Sequence, residues 1–106
     1  MGLFDFFKGP DINQGVKEYR ESKGGILLDV RTPQEYKVGH IAGSRNIPLQ
    51  NIRQAANIIK NKKTPLYVYC QSGARSGRAV MELQQMGYAN AKNIGGIASY
   101  IEKEER

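Results

Sequence analysis

One cysteine, Cys70, stands in the stretch Tyr67-Val68-Tyr69-Cys70-Gln71-Ser72-Gly73-Ala74-Arg75-Ser76, and the chain has no other. An unperturbed thiol, with a pKa of about 8.5, is only a few per cent thiolate at neutral pH. A fall to about 6.5 would make it mostly thiolate and corresponds to roughly 2.7 kcal/mol of differential stabilisation. The residues after Cys70 suit that task. Unpartnered N–H groups at a helix start carry partial positive charge. A loop wrapped around the sulfur aims several of them at it, and Arg75 adds a full charge. Gly73 supplies a φ that other residues resist and lets a ligand approach the backbone. Ser72 and Ser76 offer hydroxyl donors to sulfur, or caps for the helix. The plainer alternative is a structural cysteine buried at a strand end, since free Cys is among the most buried residue types. The polar loop and its arginine favour the reactive reading.

The elements that position this thiol follow from periodicity. Leu66 to Tyr69 is a short apolar run, and Ala79, Val80, Leu83 and Met86 recur at helical spacing. Strand, loop and helix therefore follow in order, with the thiol beyond the carboxyl end of the strand, where open α/β sheets bind ligands. Upstream, Asp11 caps a helix running to about Ser22 with Ile12, Val16 and Tyr19 on one face, and Gly24-Gly25 ends it. Ile26 to Val30 suits a strand covered on both faces. Thr32-Pro33-Gln34-Glu35 is a capping box with proline at the first helical position. Gly39 and Gly43 bracket His40 in a loop, and Arg45 to Pro48 is a brief strand. Leu49, Ile52, Ala56 and Ile59 give a helix period. Gly87 closes the helix after Cys70, Ala91 to Ile94 is a last strand, and residues 97–105 are expected to form a charged terminal helix. Alternating strands and helices argue for an α/β fold with a parallel sheet and helices on both faces.

Four stretches carry a family resemblance. Cys70 to Ser76 resembles the active-site loop of the rhodanese family of sulfurtransferases. Leu28-Asp29-Val30-Arg31-Thr32-Pro33-Gln34-Glu35-Tyr36, then Gly39-His40-Ile41-Ala42-Gly43-Ser44 with Asn46-Ile47-Pro48, resemble that family's amino-terminal signature. Gly95-Gly96-Ile97 is similar to its closing glycine pair. Together these stretches place the resemblance over roughly residues 11–101, and Tyr100 stands where many relatives carry tryptophan. The resemblance implies a small parallel sheet of about five strands wrapped by helices. Residues 1–10 are an apolar N-terminal segment and residues 11–106 the rhodanese-like domain.

The resemblance also implies sulfane-sulfur transfer. The thiolate of Cys70 takes the outer sulfur of thiosulfate or another sulfane donor, and the persulfide passes it to cyanide or to a thiol such as thioredoxin or another small thiol. Cys70 is then the catalytic residue, with Gln71, Ser72, Gly73, Ala74, Arg75 and Ser76 binding substrate. Asp29, Arg31, Glu35 and His40 support them: the first three as a polar network at the first strand-to-helix junction, with direct substrate contact, or a place at the pocket mouth for Arg31, as the alternative, and His40 as a hydrogen-bonded loop anchor. The residues themselves agree with this chemistry. Amide or ester hydrolysis needs a histidine beside the thiol, and the only histidine, His40, lies in the structural motif. Sulfite leaves as a stable anion without a proton, so charge stabilisation suffices. A tyrosine-phosphatase loop would place arginine at position 76, where this chain has Ser76. A persulfide carrier, or a non-catalytic partner-binding or redox-sensing module, is the alternative of another class.

Composition bounds the rest. At 106 residues the chain suits one domain. Hydrophobic content of 40% and charged content of 25% are those of a soluble globular protein. One cysteine and one histidine build neither an internal disulfide nor a structural zinc site, and no cofactor is expected. No apolar run approaches a membrane span. Asp5 and Lys8 interrupt a signal peptide, and Phe6 breaks the myristoylation pattern. A reducing cytoplasm fits a lone reactive thiol. The net charge of +6 comes from dispersed residues and not a dense stripe, so it reads as a weak field for small anions and as solubility, or equally as a solvated basic surface with no role, over nucleic-acid binding. Leu3, Phe4, Phe6 and Phe7 are expected to dock on the domain as a short helix, with a membrane or partner contact as the alternative.

Overall fold

A computed structural model describes residues 9–106. The expected helix at Leu3 to Phe7 lies outside the described residues. The elements are α1 (Ile12–Glu21), β1 (Ile26–Asp29), α2 (Pro33–Val38), β2 (Arg45–Asn46), a 3-10 turn (Leu49–Gln54) running into α3 (Ala55–Ile58), β3 (Leu66–Cys70), α4 (Ala74–Gln85), β4 (Ala91–Gly96) and a second 3-10 turn (Ile97–Ser99). The strands form one parallel sheet in the order β2-β1-β3-β4. Four strands stand close to the expected five.

Strand alternation builds a core on each face. In β1, Leu27 faces one side and Leu28 the other. In β3, Leu66, Val68 and Cys70 join the layer of α4, with Ala79, Val80 and Leu83, and of the α3 region, with Ile52, Ala55 and Ile59. Tyr67 and Tyr69 join the opposite layer, where Ile12 and Val16 of α1 meet Ile94 and Ile97. Residues two apart share a face, so a strand buried on both sides is apolar at successive positions. The apolar runs Ile26 to Val30 and Leu66 to Tyr69 accordingly give the two central strands, β1 and β3.

Local signals hold where they were strong. Asp11 caps α1 through Asn13 N–H. Thr32 accepts from Glu35 N–H and Glu35 accepts from Thr32 N–H, a complete capping box. Gly87 follows α4 at φ 103°. Two expectations change. The period from Leu49 to Ile59 is a 3-10 turn, with Asn51 off helical geometry, followed by one short α segment. The expected terminal helix over 97–105 is absent. After Ser99 the chain runs extended, because Asn13 binds both Ser99 C=O and Ile101 N–H. Glu105 then pairs its backbone with His40 in an antiparallel bridge, each N–H donating at 2.7 Å. A short charged helix without an apolar face is marginal, so these tertiary bonds prevail.

α1 packs closely on β4 at Gly15. A Cβ there would sit 2.6 Å from Ile94 Cγ2. Although alanine is the better helix former, Gly15→Ala is expected to destabilise by about 1–3 kcal/mol through overpacking. Urea unfolding of the variant measures this, and unchanged or raised stability would show that Ile94 yields freely.

Candidate active site

Cys70 ends the central strand β3, and α4 starts four residues later. Its side chain falls on the α4 face of the sheet and is fully buried, at 0% exposure. The sulfur accepts the Gly73 N–H at 3.0 Å and lies 3.4 Å from Ser76 Oγ. Gly73 makes the turn possible with φ 102°, a left-handed conformation costly for other residues. Burial pushes the Cys70 thiol up. The Ser76 hydroxyl, and the backbone N–H groups of Ser76, Gly73 and Ser72, outweigh it and leave the thiol below its ordinary pKa.

Ser76 is shared. Its hydroxyl lies 2.7 Å from Asn93 Oδ1 as well as 3.4 Å from the sulfur. A hydroxyl has one hydrogen to donate, so Asn93 and a thiolate compete for it. Asn93 also donates from Nδ2 to Gly73 C=O at 3.0 Å and accepts the Gly95 N–H at 3.0 Å. This β4 residue ties both turns together, and sequence reasoning did not single it out. Its only trace in the sequence is a short polar residue between Lys92 and the Ile94-Gly95-Gly96 stretch.

The closing glycine pair acquires a physical reason here. The register of β3 against β4 shifts after Val68, so Tyr69 faces Gly95 and Cys70 faces Gly96. A Cβ on Gly96 would lie 2.6 Å from Ser72 Cα and collide with Gln71 C=O. The loop backbone therefore rests directly on Gly96. Gln71 C=O accepts the Ala98 N–H at 3.2 Å, while the Gln71, Ser72 and Ala74 side chains face solvent.

The remaining candidates divide into two groups. Asp29 and Arg31 form a buried pair: Asp29 Oδ1 accepts the Arg31 backbone N–H at 2.8 Å, and Asp29 Oδ2 accepts from Arg31 Nη2 at 2.7 Å. Arg31 Nη2 also donates to Gly39 C=O at 2.6 Å. Arg31 is thus turned inward at 4% exposure and does not reach a pocket mouth. Glu35 stands apart from that pair. Its carboxylate grips Arg75 bidentately, Nη1–Oε1 at 2.7 Å and Nη2–Oε2 at 3.0 Å. The Arg75 hydrogen bonds hold the Glu35 carboxyl at a pKa of about 2, below its usual range. The Arg75 charge is accordingly answered by Glu35, and the sulfur depends on backbone N–H groups and Ser76. His40 stacks on Tyr36 at 3.8 Å, with Nδ1 2.8 Å from Tyr36 O. Neither atom bonded to the sulfur belongs to it.

Beside the loop opens a cleft of about 580 Å³, lined by Val30, Pro48 and Leu49 and by Arg75, Arg78 and Glu82 of α4. Among the described residues no helix is long and apolar enough to cross a membrane.

The family model of the rhodanese-like domain matches residues 13–103. The chain belongs to the rhodanese-like domain family. It is 45% identical over 78 residues to the uncharacterized protein YqhL of Bacillus subtilis, covering 74% of this chain and 59% of that protein. It is 38% identical over 71 residues to thiosulfate sulfurtransferase PspE of Escherichia coli, covering 66% of this chain and 68% of that protein. The matched region is thus less than two thirds of the length of YqhL. The structure superposes on a rhodanese with anions from E. coli with a TM-score of 0.72 at 32% identity, over 77% of this chain and 98% of that one. The rhodanese-like architecture read from the four sequence stretches is the one observed.

Two measurements test the site. Ser76→Ala is expected to raise the Cys70 pKa, read from thiolate absorbance against pH, whereas Ser72→Ala leaves it in place because only the Ser72 backbone contributes. Equal titrations for wild type and Ser76→Ala would remove Ser76 from the account. The Glu35 carboxyl is lowered from 4.5 to about 2 on folding, so its stabilisation is present above about pH 4.5 and lost as pH falls toward 2. Glu35→Gln is expected to lower the melting temperature at neutral pH and to flatten its acid dependence across that window. A wild-type slope retained by the variant would assign the acid lability elsewhere.

Proposed function

We propose that this chain is a sulfurtransferase that moves a sulfane sulfur through a persulfide on Cys70. The observation that carries the reading is the buried Cys70 sulfur, lowered in pKa by loop N–H groups and Ser76. Such a site stabilises negative charge on sulfur through preorganised dipoles. It does not supply the adjacent histidine that acyl transfer requires. The likeness to PspE, named a thiosulfate sulfurtransferase, supports the same reading.

The steps balance without a metal or redox partner. The Cys70 thiolate attacks the outer sulfur of thiosulfate, an Sγ–S bond forms, and the bond to the sulfonate sulfur breaks. Its electron pair leaves with sulfite. Cyanide or a thiolate then attacks the outer sulfur of the persulfide, and Cys70 leaves as thiolate. Thiosulfate or another small anionic sulfane donor fits the N–H-lined loop, and thioredoxin or another small thiol fits the second step. Gln71 to Ser76 hold the donor through their backbone. Asp29, Arg31 and Glu35 position the β1–α2 and α4 junctions, and His40 anchors its loop on Tyr36. A reducing cytoplasm keeps the thiol available.

The full burial of Cys70 favours one second reading, a carrier loaded by a protein persulfide that opens the loop. Intact-mass spectrometry after incubation with thiosulfate tests both. A gain of one sulfur atom, discharged by cyanide and absent in Cys70→Ser, is the expected result. A folded protein that gains no sulfur from thiosulfate but does so from a protein persulfide would establish the carrier. Retained turnover in Cys70→Ser would overturn both.

A further inference from the structure

We infer that the cleft beside Arg75 seats the sulfur acceptor, and that Arg78 selects a small thiol carrying a carboxylate. This rests on the sulfur-transfer reading and specifies the substrate of its second step.

Four observations lead there. The first is position. Val30, in the cleft wall, donates its N–H to Tyr69 C=O at 3.0 Å, one residue before Cys70, and shares a core layer with Cys70. Arg75, which lines the same cleft, closes the Cys70 loop. The cleft therefore abuts the sulfur site across one strand end and one helix turn. The second is size. About 580 Å³ is far more than a small inorganic anion needs, and the N–H-lined loop already suits that anion. The third is polarity. Val30, with half-buried Pro48 and Leu49, offers an apolar wall to a carbon chain.

The fourth is charge. Arg75 is answered by Glu35 at 2.7 Å, and Glu82 by Arg53 at 3.6 Å. Arg78 lies one turn beyond Arg75 on α4, lines the same cleft, and has no carboxylate partner among the described residues. Of the three charged side chains lining the cleft, Arg75, Arg78 and Glu82, only Arg78 has no ion-pair partner among the described residues, and it stands beside an apolar surface. A thiol with a short carbon chain and a terminal carboxylate complements both, and Arg is the side chain suited to bind it bidentately. In the transfer, the acceptor thiolate attacks the outer persulfide sulfur. The new S–S bond forms, the Sγ–S bond breaks, and its electron pair returns to Cys70 as thiolate. Any proton on the persulfide stays with the transferred sulfur.

The test uses protein loaded with thiosulfate, its persulfide confirmed by mass, then freed of donor. Discharge rate constants are measured with 3-mercaptopropionate, 2-mercaptoethanol and cysteamine at matched thiolate concentration. The readout is the ratio of anionic to neutral acceptor. Arg78→Glu is expected to lower that ratio about fivefold to tenfold, slightly more than an exposed ion pair contributes because the charge is reversed, and to raise the cysteamine ratio. Arg78→Lys, which keeps the charge and loses the bidentate fork, should fall between wild type and Arg78→Glu. Lys23→Glu, just before the amino end of β1, controls for net charge and should shift the ratio far less. Equal ratios in wild type and Arg78→Glu, or an equal effect of Lys23→Glu, would overturn the inference while the persulfide itself stands. If thiosulfate fails to load the protein, thiosulfate fails as donor first, before the acceptor site is tested. The cleft is then read directly by amide NMR with 3-(methylthio)propionate. Shifts centred on Thr32, Leu49 and Arg78 support the site, and shifts elsewhere or none overturn it.

Discussion

The site depends on lowering the pKa of a sulfur that is buried at the end of a central strand. Burial alone favours the neutral thiol. What reverses the balance is a tight ring of donors, with the Gly73 N–H at 3.0 Å and the Ser76 hydroxyl at 3.4 Å. That ring is possible only because two glycines remove steric obstacles. Gly73 takes φ 102° to fold the loop back on the sulfur. Gly96 lets the loop backbone rest against β4, where any Cβ would meet Gln71 and Ser72. The register shift in β4 is what brings Gly96 opposite Cys70, so the sheet itself sets the shape of the loop.

Around this ring lies a layer of paired charge. Asp29 and Arg31 are buried together with every hydrogen bond directed inward, the arrangement in which a buried ion pair is tolerated. Glu35 and Arg75 join the β1–α2 junction to the first turn of α4. This pair fixes Arg75 in a bidentate geometry. Backbone dipoles are then the main source of positive potential in the loop, and they need no reorganisation when charge develops. Arg78 is left as the open cation beside the cleft.

The supporting loop shows how a small domain compensates for limited core. His40 is held by its ring on Tyr36 and by its backbone on Glu105. Tyr36 in turn donates its hydroxyl to Ser44 C=O at 2.6 Å, and Tyr69 O–H lies 3.1 Å from Ser44 Oγ while accepting the Ile41 N–H. These bonds stitch the irregular segment between α2 and β2 to both the sheet and the extended C-terminal stretch.

The sequence by itself determined the features that depend on neighbours along the chain. Alternating apolar runs and helix periods specified parallel layers, Thr32 to Glu35 specified a helix start, and the stretch from Cys70 to Ser76 specified a thiol in a helix-opening loop. Each is set by local sterics, hydrogen bonding and periodicity within about one turn or strand. Tertiary structure decided what those signals do not reach. Glu35 meets Arg75 across forty positions, Asn93 meets Ser76 across seventeen, and both contacts follow from which strands lie side by side. The stretch after Ser99 has helical composition but runs extended, because Asn13 and His40 offer its backbone partners. Long-range pairing sets the final contacts because a buried group must be satisfied by whatever the sheet register brings beside it.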